Sequence, residues 1–366
     1  MFSTGQYRVF SGEHSDRILS RPRRLLHEGR AQDADLAYRT VLEQEPDLRA
    51  AWLEYFGLLR HHHRFEDALD LSERAMSRFG DDALGPALRG AALVELGRYR
   101  DGLAALEEAA ARDPNLGMVW HEAGYAAYRL GEYSRALMAL DRAFALEPHS
   151  GTLHLRGKVL RQAGRYLAAE VSFEGAAEAA EFPEQRAEAE RQVRVTRRYA
   201  AFPGQRPDNI PLPRRWFAET GAVPLTATSS VAPPTEGQLL DAFAQLTREQ
   251  GWRFTCLIST DNWEGWRRLS TALDIPLLDG LPSDPSPVPL LVARRPDGTD
   301  SRWSAANADL ACLGRGLSLA LQQVPDVEAA DIFGVLVGAG GAACDLPFAT
   351  EAAQHPEGRL QRRVLS

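Results

Sequence analysis

Apolar residues along the first half of the chain recur at three- and four-residue intervals, in stretches of about a dozen positions closed by Pro or Gly. Such spacing puts one apolar stripe on a helix, and the closing residues are the ones that end helices. Three series of landmarks run in a common register. The first is a closing Pro or Gly at Glu45-Pro46, Gly80, Asp113-Pro114 and Glu147-Pro148. The second is Gly29, Gly97, Gly131 and Gly164, placed where a left-handed turn would separate two helices at least cost to glycine. The third is small residues at Ala34, Ala68, Gly102, Ala136 and Ala169, followed by Tyr38, Ser72, Leu106, Leu140 and Phe173, and then by Val41, Ala75, Ala109, Ala143 and Ala176. Two helices that cross closely need a small side chain at the crossing and a larger one beside it. The interval between equivalent landmarks is roughly 34 residues, the length of a helix-turn-helix repeat.

Trp120, Gly124, Tyr125, Tyr128, Gly131, Tyr133, Ala136, Leu140, Ala143 and Pro148 together make one nearly complete unit that resembles the tetratricopeptide (TPR) family. Counting outwards gives about five units over residues 15–182. The match is uneven. Pro22 and Arg23 fall where the first helix should pack, His63 stands in place of a turn glycine, and the fifth unit is one residue short before Gly157. Residues 183–201 read as a polar-faced capping helix.

The resemblance implies a superhelix whose inner face is lined by the first helix of each pair and binds extended polypeptide. On this chain the inward positions include Arg60 and His61, Val94 and Glu95, His121, Tyr125, Tyr128 and Arg129, then His154, Lys158, Arg161 and Gln162. Aromatic faces beside cations suit a partner with carboxylates and a few apolar anchors, docked around the third to fifth units. The same side chains also admit a plainer reading, as inter-helix packing for the tyrosines and a solvated face for the cations. The fixed Lys and Asn set by which some members hold a terminal carboxylate is not matched, since no Asn occupies those places. The run His61-His62-His63 has no carboxylate or cysteine to complete a ligand set, and neighbouring residues of a helix diverge. No metal is expected there.

Prolines at positions 203, 207, 211, 213, 224, 233 and 234 make residues 202–237 read as a linker, with Trp216 and Phe217 in need of a surface to lie on. Residues 238–366 change period. Helices are expected over 238–249, 263–273 and 305–322, and strands over 252–259, 288–293 and 332–337. The whole is therefore an N-terminal segment (1–14), an all-α helical-repeat solenoid, a cap, a linker and a C-terminal α/β domain of unassigned topology. Gly338, Gly340, Gly341 and Ala343 superficially match a GxGxxA phosphate loop, but Pro347 follows too soon for the long helix such a loop needs. Cys256 reads as core. His355 has no nucleophile motif near it, and Asp261, Asn262 and Glu264 read as the start of a helix at the ligand-bearing edge of a strand. No cofactor is expected.

A composition of 44% hydrophobic and 25% charged residues is that of a folded chain. The net charge of -8 argues against a nucleic-acid backbone as the main partner. The three cysteines lack metal-ligand spacing, and neither a leader-like nor a membrane-spanning apolar run occurs, so a cytoplasmic setting is expected. Lys158 is the single lysine among many arginines, a habit of GC-rich bacterial genomes. These readings converge on a protein-binding adaptor for an acidic partner and lean away from an enzyme without deciding it. The alternative is a C-terminal enzyme or small-ligand domain whose target the repeats recruit, and a third possibility is self-association through the groove.

Overall fold

In a computed structural model, residues 13–228, 233–281, 287–296, 301–325, 327–337 and 342–363 are described. Contacts divide the chain into two units, Met1–Leu160 with Gly175–Glu181, and Arg161–Glu174 with Phe182–Ser366.

The N-terminal helices come in pairs: α1 (Glu13–His27) with α2 (Ala31–Gln44), α3 (Arg49–His61) with α4 (Phe65–Phe79), α5 (Leu84–Glu95) with α6 (Tyr99–Arg112), α7 (Gly117–Arg129) with α8 (Tyr133–Leu146), and α9 (Ser150–Gln162) with α10 (Tyr166–Glu178). Every small-residue landmark is buried, and so are the larger residues that follow it. The reason is visible at the crossings. A Cβ on Gly90 would lie 2.5 Å from Leu106 Cγ and one on Gly124 would lie 2.7 Å from Leu140 Cγ, so only glycine lets α5 meet α6, and α7 meet α8, at this distance. The pair turns close with two backbone bonds. Gly97 N–H donates to Val94 O and Arg98 N–H to Leu93 O, and the same two bonds recur at Gly131 and Glu132. His63 makes the equivalent turn with φ +55°, so the bend is kept although the glycine is not. Trp52 and Trp120 hold the preceding loops by donating to Pro46 O and Pro114 O. Pro22 is buried inside α1, which continues through it.

The second unit is built on a six-stranded parallel sheet in the order β1-β7-β6-β5-β3-β4, with β1 Val223–Pro224, β3 Cys256–Ser259, β4 Leu277–Leu278, β5 Pro289–Ala293, β6 Leu317–Gln323 and β7 Ile332–Leu336. A separate antiparallel pair joins β2 (Thr226–Thr228) to β8 (Ala342–Cys344). Leu257, Leu290, Val292, Leu317 and Leu319 face a core shared with α13 (Glu236–Gln250), α14 (Gly265–Leu273) and α16 (Leu346–Gln354). Cys256, Ile258, Leu291, Ala293 and Ala320 share a core with Trp303 and Leu310 of α15 (Ser301–Leu313). Alternate residues of fully buried strands thus feed two layers.

Two expectations are corrected here. The span 305–322 is not one helix: α15 stops at Leu313, Gly314 and Gly316 take positive φ, and β6 begins at Leu317. The proline-rich stretch is not a free linker over its described length. It carries α12 (Leu212–Thr220), β1 and β2, and Phe202, Ile210, Phe217, Val223 and Leu225 are buried in the main core of the second unit. Pro211 and Pro213 open α12, where a missing N–H costs nothing, and Pro224 closes β1. The expected cap, α11 (Pro183–Tyr199), contributes Val195 and Tyr199 to that same core, and Tyr199 stacks on Tyr166 at 5.7 Å.

Candidate functional site

The expected partner-binding residues fall on the first helices of the pairs, but their chemistry differs sharply. Arg60, near the end of α3, is half-buried and donates from Nε to Glu95 at 2.9 Å and from its terminal nitrogen to Glu122 at 3.2 Å. Glu122 is 4% exposed, so this arginine completes a buried ion pair spanning three successive first helices. His61 is exposed, with its ring edge-on to His62. His121 lies between α7 and α9, Nδ1 3.0 Å from Thr152 Oγ1. Burial holds its pKa below the ordinary value, Arg60 and His149 push the same way, and Glu122 opposes them.

Tyr125 and Arg129 are brought together. Arg129 is exposed, donates to Tyr125 Oη at 2.8 Å, and lies with its guanidinium carbon 4.4 Å from the centre of the Tyr99 ring. The Tyr125 hydroxyl favours the charged guanidinium and holds its pKa above the ordinary value. Tyr99 meets Tyr125 edge to face at 6.4 Å. Tyr128 is half-buried against Tyr133 at 6.3 Å. His154 and Lys158 are half-buried on α9. Arg161 and Gln162 end the same helix but group with the second unit, where Arg161 donates to Gln192 Oε1 at 2.6 Å and lies over Phe173 and Tyr199. The sequence suggests Arg60 and Arg161 as ligand-facing cations, yet both have internal partners. Tyr99, the first residue of α6, escapes sequence reasoning, since it belongs to none of the inward positions of the first helices.

The second unit offers a different arrangement. The chain leaves β3 for α14 and β4 on one side and leaves β5 for α15 and β6 on the other, so the carboxyl ends of β3 and β5 form a topological switch point. Asp261 does not cap α14 with its side chain. It binds the two diverging loops together, accepting from Trp266 Nε1 at 2.6 Å, Trp263 N at 3.2 Å and Arg294 N at 2.6 Å. Arg294 in turn reaches Glu236 in the first turn of α13 at 2.5 Å and lies over the Trp263 ring. Thr260 Oγ1 is buried there without a hydrogen-bond partner. Cys256 is buried, and desolvation pushes its thiol pKa up, as a core cysteine requires. His355 accepts from Glu357 N–H and meets Phe217 edge-on, a structural role. The glycine run 338–341 lies outside the described residues. Among the described residues there is no cluster of metal-ligating side chains, and no helix is long and apolar enough to cross a membrane.

The recurrent helix pairs, their glycine turns and the small residues at their crossings define the N-terminal half as a TPR-type helical array. No family model and no curated protein matches the chain. Solved structures similar to it include TTC0263, a thermophilic TPR protein from Thermus thermophilus, at 19% identity, 49% of this chain and 98% of that chain, with a TM-score of 0.43. PilW, a type IV pilus biogenesis factor, is 17% identical over 52% of this chain and 88% of its own, TM-score 0.45. YrrB, a TPR protein with an unusual peptide-binding site, is 16% identical over 47% of this chain and 90% of its own, TM-score 0.36.

Proposed function

We propose that this protein is a cytoplasmic adaptor whose TPR-type array holds an acidic, extended segment of another protein against the first helices of its third to fifth units. The observation that carries this reading is the set on α7 and α9: Arg129 is exposed and Tyr125, Tyr128, His154 and Lys158 are half-buried, at helical spacing along the rim of the core formed by Ala123, Ala126, Ala127, Leu155 and Val159, against which both tyrosines pack. Aromatic surface supplies contact area at low entropic cost, and the cations supply selectivity for carboxylates. The test is capture by the immobilised full-length chain. Replacing Tyr125, Arg129 and Lys158 together by alanine is expected to abolish salt-sensitive capture while far-UV circular dichroism stays unchanged; undiminished capture by a folded triple variant would rule this surface out.

A second reading concerns the α/β unit as a small-ligand domain. The switch point favours it, because Thr260 Oγ1, Asn262 and the Arg294 side chain stand at the edge where ligands bind in sheets of this kind. Trp263 there provides a reporter. A metabolite that raises the melting temperature and changes the fluorescence of the native chain, but not of a Trp263→Phe variant, would support this reading.

A further inference from the structure

We infer that Arg129 is a preformed receptor for one side-chain carboxylate of the partner, built by Tyr99 and Tyr125 at the junction of α6 and α7. This rests on the adaptor reading and narrows it from a broad face to a single subsite.

In the repeat register His61, Glu95 and Arg129 occupy equivalent places at the ends of α3, α5 and α7, spaced by the roughly 34-residue period. Each has a different fate. His61 is exposed with its ring against His62, and Glu95 binds Arg60. Arg129 alone of the three presents a guanidinium, and it is held rather than free to wander. Its guanidinium carbon lies over the Tyr99 ring, 4.4 Å from the centroid, and one nitrogen donates to Tyr125 Oη at 2.8 Å. A guanidinium carries N–H groups on two edges, so one bond to a phenol leaves a forked pair available. Among the described residues no carboxylate pairs with it. The acids nearest in register are committed elsewhere, Glu95 to Arg60 and Glu132 to Arg135.

Stacking does two things for such a group. It fixes a long side chain before the ligand arrives, so less conformational freedom is lost on binding. It also covers one face of a weakly hydrated plate while leaving the fork in water, which suits planar, bidentate capture of a carboxylate better than a lysine ammonium would. Beside it Tyr128 and Tyr133 offer half-buried aromatic surface. The chemistry that fits is a Glu or Asp followed within a few residues by an apolar side chain, in an extended polypeptide.

The experiment uses the full chain and two fluorescein-labelled dodecapeptides built from Ser, Glu and Leu, one as such and one with every Glu replaced by Gln, followed by anisotropy at low salt. The Glu peptide is expected to bind at least about tenfold more tightly than the Gln peptide, the scale of one charge-assisted bond. Arg129→Lys keeps the charge but loses fork and stack, and is expected to lose most of that preference; Tyr125→Phe removes only the orienting hydroxyl and is expected to lose about threefold. Unfolding curves of the variants that superimpose on the parent exclude a merely structural effect. Equal binding of the two peptides, no binding of either, or an Arg129→Lys variant indistinguishable from the parent overturns the subsite. The adaptor reading is judged separately by the capture assay, which can succeed on the triple variant's terms even if Arg129 alone proves irrelevant.

Discussion

His63 shows how much a single position can reveal. It holds φ +55° where the other turns hold glycine, and a side chain in that region costs about 1 kcal/mol relative to glycine. His63→Gly is therefore expected to stabilise the array by about 0.5 kcal/mol at most, after allowing about 0.4–1 kcal/mol for glycine's freer unfolded chain, read as a raised urea midpoint with an unchanged slope. The sequence marks this place as a departure from the repeat, and the departure is real. His121 carries a second expectation. Its folded-state pKa is depressed by burial, so the unfolded chain takes up the proton first as pH falls below about 6.5. Stability from this group is present at neutral pH and is lost on the acid side. His121→Gln should flatten the loss between about pH 7.5 and 5.5; an identical decline in parent and variant would dismiss the imidazole as its source. What no residue pattern could disclose is the fate of Arg60. Its carboxylate partner Glu122 stands 62 positions away, and only the stacking of successive helices brings the two together.

At the level of elements, the array is legible because one packing problem is solved repeatedly, and each solution leaves the same small residue behind. Gly90 and Gly102 face one another so closely that a Cβ on Gly90 would come 3.0 Å from Gly102 O as well as striking Leu106. Gly90→Ala gains about 1 kcal/mol in helix propensity, but forcing α5 from α6 costs about 1–3 kcal/mol. A net loss measured by thermal unfolding is expected, and relief by a second change, Leu106→Val, would tie it to this crossing. The α/β elements are harder to read. Leu317 to Gln323 is written in Leu, Ser, Ala and Gln with no β-branched residue, and a short apolar run carries no period to exclude helix. The neighbours β5 and β7, which make it a central strand, are a tertiary fact. Gly314 and Gly316 are the available clue, two positive-φ residues between α15 and β6. Likewise proline density reads as a linker in the sequence, whereas Pro213 lies in the first turn of α12, whose Phe217 is buried in the core.

For the whole molecule, the sequence separates repeat from α/β fold but puts the seam in the wrong place. Tyr166, Val195, Tyr199, Phe202 and Phe217 belong to the core around the parallel sheet. Arg198 is buried among them, donating to the carbonyls of Ala218, Glu219 and Glu357, and desolvation lowers its pKa to about 10. A fragment starting at Gln238 lacks β1, α12 and all of these side chains. It is expected to show no cooperative melting transition, whereas a fragment starting at Arg161 should melt as one unit; calorimetry of the two decides. The partner-binding face is legible only in outline, since spacing tells which helices line it but not which cations already have partners.

Helix α10 is divided between the two units after Glu174. Anyone wishing to lengthen this protein's reach by grafting in another hairpin would thus find the end of the series closed to insertion. Between α4 and α7 an added copy would part Arg60 from Glu122, so that junction too is made for its own neighbours.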